Sequence, residues 1–269
     1  MRLDIAIAEC FALSRRRTRR AIDEGGVYLN GKRCRTAGRK VTRGDRLRVV
    51  LLDHEQLTPF QPEQLIWQAP PLYLIHKRSG QYAQEALHRS VGTLPLEIAN
   101  HLQLPASESL RPVHRLDRDT SGLMLLSSDP QQLQQLQQHW QHCVNKRYLA
   151  VVSPAPEWQQ QIIELPIDKR RDRQGRYHTS PHGRACKTEA TCIERRGTRA
   201  LLRLIPHTGR THQLRVHLAA LGVPILGDIR YGGKAHTRLM LHAEKLRVTP
   251  PALAEEIGWT QPPEEDWQW

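Results

Sequence analysis

The chain has 269 residues, enough to bury a real core and to divide into one large and one small domain. Its 40 Lys and Arg exceed its 27 Asp and Glu, giving a formal charge of +13 and favouring a polyanionic partner over an acidic or neutral one. No apolar stretch approaches the roughly 18 residues of a transmembrane helix, and the scattered Cys10, Cys34, Cys143, Cys186 and Cys192 form no C-x-x-C pair, which reads as reduced cytoplasmic thiols and not a disulfide frame or zinc site.

Residues 1–52 carry 14 basic and 5 acidic residues, so the positive charge is concentrated there. Leu3, Ile5, Ala6 and Cys10 fall roughly on one face of a first helix. Ser14 is placed to cap a second, which contains the block Arg15-Arg16-Arg17-Thr18-Arg19-Arg20 and stops at Gly25-Gly26. Val27-Tyr28-Leu29 reads as a strand, Asn30-Gly31 as a tight hairpin turn, and Arg46 to Val50 as a closing strand after Gly44-Asp45. This order, with Arg2-Leu3-Asp4, Ser14-Arg15, Gly26-Val27, Asn30-Gly31-Lys32, Val41 and Gly44-Asp45, resembles the alpha-L RNA-binding domain of a ribosomal small-subunit protein and of tyrosyl-tRNA synthetases. The resemblance implies that Arg15, Arg16, Arg19, Arg20 and Lys32 face RNA. A solvated helix face is the plainer account of any single arginine.

Residues 53–66 are polar, contain Pro59 and Pro62, and read as a linker. A larger domain is expected over 67–249. Its strands are Leu72 to Ile75, the buried Gly122 to Leu126, Arg147 to Val152, and the loosely alternating Arg199 to Ile205. Asp129-Pro130 opens a helix with Leu133, Leu136, Trp140 and Val144 at helical spacing, and Thr211 to Leu221 is a second helix, ended by Gly222 and Pro224. Strands and helices mix without regular βαβ repeats, so the class is α+β. Residues 250–269 hold five acids and no base, with Trp259, Trp267 and Trp269, and form an acidic tail, docked or loose. There is no Walker loop, no G-x-G-x-x-G and no H-E-x-x-H, and the 14 histidines show no metal spacing.

The densest chemistry lies in His114-Arg115-Leu116-Asp117-Arg118-Asp119-Thr120-Ser121-Gly122. Two acids sit among arginines in a stretch of turn-forming residues between apolar strands. An Arg115–Asp119 ion pair in a charged loop is the simplest local explanation. The string also resembles the H-R-L-D-x-x-[ST]-[ST]-G motif of the RluA-type family of RNA pseudouridine synthases. The resemblance continues in family order through Lys146-Arg147-Tyr148-Leu149-Ala150, Pro206-His207-Thr208-Gly209-Arg210-Thr211-His212-Gln213-Leu214-Arg215-Val216-His217, Gly222 to Asp228, Tyr231-Gly232 and Leu239-Met240-Leu241-His242-Ala243. There are departures. The family's Lys-Pro-x-Gly is here Lys77-Arg78-Ser79-Gly80, and residues 81–90 lack a familiar pattern. Arg2-Leu3-Asp4 repeats the catalytic tripeptide, but no Thr-Ser-Gly turn follows it, so Asp4 is assigned a helix or packing role.

The resemblance implies a pseudouridine synthase domain with a mixed, mainly antiparallel sheet, acting as an isomerase on uridine in RNA. Ribosomal RNA is the expected substrate ahead of tRNA, since accessory domains of this kind are common on ribosomal-RNA enzymes. No cofactor or metal is required, because nothing is oxidised and no group is donated. A monomer is the default. The target base must leave its stack. By resemblance Arg115 flips the base, Asp117 attacks the sugar or takes a proton from it, and Arg215 keeps Asp117 charged. Tyr148 stacks on the base and offers a hydroxyl, and Leu241 forms an apolar wall opposite it. Arg210 and His212 contact phosphate or the scaffold, while Thr120 and Ser121 hold the turn. On a 211–221 helix, His212 and Arg215 share one face and Leu214, Leu218 and Leu221 another, which docks on the core and frees Arg215 to turn toward the site. Two other classes compete. A non-catalytic RNA-binding protein would be free to lose one of Asp117, Tyr148 and Arg215. A glycosidic hydrolase would need carboxylates across a sugar, and Asp117 and Asp119 share one tight turn.

Overall fold

The structure, a computed structural model, describes residues 1–51, 58–85, 92–105 and 109–269. It contains two compact units. One comprises Met1–Phe60 with Gln81–Ser109, the other Gln61–Gly80 with Leu110–Trp269.

The first unit opens with α1 (Leu3–Cys10) and α2 (Arg15–Asp23) and continues into β1 (Val27–Leu29), β2 (Lys32–Arg33) and β3 (Leu47–Val49). Ser14 caps α2, its Oγ accepting from the Arg17 amide at 3.3 Å. Asn30 and Gly31 both have positive φ, 51° and 79°, which gives the hairpin between β1 and β2 a twist that matches its strands. Leu3, Ala6 and Ile7 pack on Ala21, Ile22, Val27 and Val41. The buried face of α1 is therefore Leu3, Ala6 and Ile7, and both Ile5 and Cys10, expected on it, are exposed. An 8-residue helix buries an i, i+3, i+4 set, and Ile5 lies off that stripe. Asp4 takes the Arg2 guanidinium on both carboxylate oxygens. Helix α3 (Leu94–His101) completes the unit, with Leu94 and Ile98 buried.

The polar stretch 53–66 has its first five residues outside the described ones; at its other end a 3-10 turn, Pro62–Gln64, leads into β4 (Leu65–Ala69). Residues 86–90, part of the unfamiliar stretch 81–90, also lie outside the described residues. The second unit then runs β5 (Leu72–Lys77), β6 (Arg111–Pro112), β7 (Ser121–Ser127), α4 (Pro130–Cys143), β8 (Val144–Val152), β9 (Gln160–Ile163), β10 (Thr188–Arg196), β11 (Arg199–Pro206), α5 (Gln213–Ala220), β12 (Leu241–Val248) and β13 (Ile257–Thr260). Its strands form one mixed sheet in the order β4-β5-β7-β12-β8-β11-β10-β9, with β6 on β7 and β13 on β12. Among the described residues, only the β12–β7 strand pairing is parallel.

Asp129 accepts from the Gln131 and Gln132 amides, both at 3.1 Å, and so starts α4 behind Pro130. The Leu133 and Leu136 face of α4 is buried with Leu123, Leu125 and Val144. The acidic tail is docked on this unit. β13 pairs with β12, and the Trp259 ring lies 5.1 Å from that of Trp67.

Helix α5 departs from the expected 211–221. It starts at Gln213 because His212 has φ 57°, in the left-handed region, which no helical residue occupies. The Gln213 side chain holds this start, accepting from Thr208 Oγ1 at 2.7 Å and the Arg210 amide at 3.0 Å. His212 and Arg215 therefore do not share a helical face. Nor does α5 have a polar side, since Gln213 to Leu218 are all buried, Arg215 among them.

Candidate active site

The segment 114–120 forms the turn between β6 and β7. Lys77, fully buried at the end of β5, holds it from beneath. Its Nζ donates to the carbonyl oxygens of Arg118 at 2.6 Å, Thr120 at 2.7 Å and Arg78 at 3.1 Å. Burial pushes this amine down to about 7, against the pull of Asp119 and Asp117. Ser79 Oγ donates to the Asp119 carbonyl at 2.9 Å. Asp119 pairs with Arg118, Nε to Oδ1 at 2.7 Å, so the simple Arg115–Asp119 pair is replaced by one between chain neighbours. Arg115 instead reaches across to Thr211, Nη2 to Oγ1 at 3.3 Å. Arg78, standing where the family has proline, pairs with Glu63 at 2.9 Å.

Where β7 leaves the turn, Gly122 faces Ala243 across the parallel pairing. A Cβ at Gly122 would lie 2.3–2.7 Å from the Ala243 backbone, and φ is +118°. No other residue fits both conditions. This close approach draws the turn toward β12 and, beyond it, β8.

Asp117 is 26% exposed, and Arg215 donates Nη1 to its Oδ2 at 3.1 Å. The rest of that guanidinium is committed elsewhere, with Nε and Nη2 each 2.7 Å from a different oxygen of Asp228. Asp228 is 2% exposed. Burial works to lower the Arg215 pKa, but the bonds and charges of Asp228 and Asp117 outweigh it and the net direction is upward. Arg215 is thus a fixed cation with one N–H edge turned to Asp117.

Tyr148 on β8 and Leu241 at the start of β12 line the same cleft, of about 600 Å³, as Asp117 and Arg215. Burial, and then the Asp117 charge, raise the Tyr148 pKa, so its hydroxyl keeps its proton. Arg115, Arg210 and His212 line this cleft too. Arg210 is partly spent on the scaffold, donating Nε and Nη2 to the Ala185 carbonyl at 3.3 and 3.2 Å. The sequence-derived residues Arg15, Arg16, Arg19 and Arg20 are exposed on α2, and Lys32 is exposed on β2, in the other unit. Two of them have acidic neighbours one helical turn on, Arg19–Asp23 at 3.3 Å and Arg20–Glu24 at 2.9 Å.

Sequence reasoning misses three contributors. Asp228 stands out there only as part of the Gly227-Asp228 string, Lys77 only as the first residue of a broken Lys-Pro-x-Gly, and Tyr231 only as half of Tyr231-Gly232. For Lys77, a charge closing an apolar strand was the available signal; Asp228, in a turn, offered none. Among the described residues one group of donors, His76, His242 and Glu264, is close enough to surround an ion. The Arg238 guanidinium already supplies Glu264 with a cation, Nη1 to Oε2 at 2.9 Å. The same arginine donates Nη2 to Ser121 Oγ at 2.6 Å, so the docked tail reaches the start of β7 through it.

The arrangement is therefore one carboxylate, fixed by a buried cation, at the floor of a cleft walled by an aromatic hydroxyl and a leucine. Known proteins resemble this chain along most of its length. A family model described as RNA pseudouridylate synthase matches residues 71–220, and an S4 domain model matches residues 1–47. The chain is 31% identical to an uncharacterised RNA pseudouridine synthase of Chlorobaculum parvum, over 94% of this chain and 88% of that one. It is 30% identical to ribosomal large subunit pseudouridine synthase D of Vibrio cholerae, over 98% of this chain and 88% of that one. Among solved structures, human RNA pseudouridylate synthase domain containing 1 is similar, with a TM-score of 0.63, 25% identity, and coverage of 77% of this chain and 86% of that one.

Proposed function

Because the chain belongs to the family of RNA pseudouridylate synthases and carries an S4 domain, we propose that it isomerises uridine within ribosomal RNA, in preference to tRNA, and that Asp117 is the reacting carboxylate. Relatives named as large-subunit ribosomal enzymes, similar along nearly the whole chain, support the choice of RNA. The observation that carries the site reading is the Asp117–Arg215 contact at the base of a cleft shared with Tyr148 and Leu241.

The net reaction moves the sugar C1′ bond from N1 of uracil to C5 and one proton from C5 to N1. It is redox-neutral and consumes no second substrate. Two openings fit the geometry. In one, Asp117 attacks C1′ and uracil departs. In the other, Asp117 takes the C2′ proton and uracil departs from the resulting elimination. Both need a charged, aimed carboxylate, which the Arg215 edge supplies. Tyr148 is proposed to stack on the extruded uracil, a contact worth about 1–3 kcal/mol, and its protonated hydroxyl to relay the C5 proton, taking it on oxygen as its own proton passes to the uracil ring. Leu241 closes the opposite wall. Arg115, exposed at the cleft, is proposed to take the space left by the base. Arg210 and His212 border the nucleotide, and Arg15, Arg16, Arg19, Arg20 and Lys32 hold the surrounding RNA through phosphate. The protein is proposed to act as a cytoplasmic monomer without metal or cofactor.

The test is a map of pseudouridine in ribosomal RNA from cells with and without this protein, with add-back of the wild type or Asp117→Asn. A site that disappears, returns with wild type and does not return with the variant is expected. Free uracil as the product would instead indicate a hydrolase.

A further inference from the structure

His212 occupies an unusual place. Its φ of 57° is uncommon outside glycine, and such backbone positions persist where the surroundings enforce them. The enforcement is visible at both ring nitrogens. Nε2 points at Asp117, 3.7 Å from Oδ2. Nδ1 lies 2.7 Å from the Tyr231 hydroxyl.

The two ends together fix the tautomer. A carboxylate oxygen only accepts, so the nitrogen turned toward it is favourable when it bears hydrogen. A neutral ring with hydrogen on Nε2 presents a lone pair at Nδ1. The Tyr231 hydroxyl can fill it, for that oxygen already accepts the Tyr177 amide at 3.2 Å and has its own proton to give. Burial keeps the ring neutral by pushing His212 down to about 4, while burial also raises Tyr231 and keeps it a donor. The Tyr231 ring has a second task, since the Arg215 guanidinium carbon sits 5.0 Å over its centroid. Both groups that approach Asp117 Oδ2 therefore rest on one tyrosine.

We propose that Tyr231 is a positioning residue. Its hydroxyl fixes His212 as the Nε2–H tautomer facing Asp117, and its ring seats the Arg215 guanidinium. Among the described residues, the side-chain contacts to Asp117 fall on Oδ2. Oδ1 is then the oxygen presented to the nucleoside. A neutral His212 orients the carboxylate without becoming a second cation in competition with Arg215. The inference rests on Asp117 as the reacting group.

The groups facing His212 are Asp117 from the turn, Arg215 on α5, Asp228, Arg230 and Tyr231 from the turn before β12, and Tyr177 from the loop after β9. Removing the Tyr231 hydroxyl takes away the donor that keeps Nδ1 bare, so the neutral ring can carry its hydrogen on Nδ1 and turn a lone pair toward Asp117, and the lost bond to the neutral form moves the His212 pKa upward. Tyr231→Phe keeps the ring and deletes the hydroxyl. Its kcat is expected to fall about 10- to 100-fold, with KM for RNA little changed. The acid limb of its rate profile should move up by about one pH unit. The decisive readout does not need activity. In wild type, ring ¹⁵N shifts of His212 should report Nε2 protonated and Nδ1 bare, and in Tyr231→Phe a mixture. His212→Gln retains an N–H at the Nε2 position, and adding Tyr231→Phe to it should cost little more. A wild-type ring with hydrogen on Nδ1 overturns the proposal, even if Tyr231→Phe fails to fold. So does a Tyr231→Phe enzyme with unmoved kcat, acid limb and ring shifts. An active Asp117→Asn would instead overturn the site reading, while leaving the measured tautomer where it is.

Discussion

Asp228 holds Arg215 by both prongs, each carboxylate oxygen 2.7 Å from a different guanidinium nitrogen, and both side chains are nearly sealed from water. The pair leaves one nitrogen, Nη1, for Asp117. Breaking one half of a buried ion pair leaves an uncompensated charge and costs about 3–5 kcal/mol. Asp228→Ala is expected to lose that much in urea denaturation and at least about 100-fold in kcat. Arg215→Lys keeps the charge but not the fork, and should lose activity with a smaller stability loss. Equal stability of wild type and Asp228→Ala would refute the anchoring role.

Asp117→Asn tests the chemistry separately from the scaffold. Its side chain is isosteric and remains able to meet Arg215 through its carbonyl oxygen. Product formation should fall below detection while RNA affinity stays within about threefold, a change under 1 kcal/mol. Filter binding and mass-spectrometric nucleoside analysis measure the two.

Tyr148 should separate stacking from proton transfer. Tyr148→Phe keeps the flat ring and removes the hydroxyl; Tyr148→Leu removes both. If the ring binds the flipped base, Leu should weaken substrate engagement by a further 1–3 kcal/mol or so, seen in KM or in single-turnover half-saturation. Indistinguishable Phe and Leu variants would mean the ring does not stack.

Stability should fall on acidification before the carboxylates titrate. Burial depresses His212 and His242 to about 4, and burial with the nearby Lys146 charge depresses His114 to about 3. The unfolded chain takes up these protons near the ordinary histidine value of about 6.5. Between roughly pH 6.5 and 4 it therefore binds more protons than the folded one, and stability drops as pH falls. The urea midpoint should decrease from pH 7.5 to 4.5, and His114→Gln should flatten part of that slope. A midpoint independent of pH over this range would contradict neutral buried rings.

The α2 arginines should act through charge. Replacing Arg15, Arg16, Arg19 and Arg20 by Gln is expected to weaken RNA binding. Each phosphate no longer neutralised should also lower the slope of log affinity against log salt by roughly 0.7–0.9. An unchanged slope would make that helix face a solvated one.

Legibility in the sequence followed locality. The N-terminal unit was readable because its signals are near neighbours, such as Ser14 before α2 and Asn30-Gly31 in its hairpin. Strands β5, β7, β8 and β11 showed as apolar runs, and Asp129-Pro130 announced α4. At the site, the family motifs brought Asp117, Tyr148, Arg215 and Leu241 to attention, and the fold gathers those four around one cleft. What escaped notice depends on distant partners. Nothing near Lys77 reveals that the carbonyls of Arg118 and Thr120, some forty residues on, will cage its amine. Arg215 looked like the polar face of an amphipathic helix because its burial is compensated by Asp228, thirteen residues later. The left-handed His212 is likewise set by Gln213, Tyr231 and Asp117, not by its own preference.

The place of β12 in the sheet bears on how the protein is made. This strand, late in translation, slots between β7 and β8, which precede it by about a hundred residues of chain. Until it emerges from the ribosome, its two neighbours present unpaired backbone edges, and Leu241 has not yet reached the cleft. A chain halted before residue 241 thus holds Asp117, Tyr148 and Arg215 and still lacks the Leu241 wall of the cleft. Synthesis and completion of the cleft are coupled: a truncated product keeps the α2 arginines but lacks one cleft wall, and its bare strand edges favour self-association.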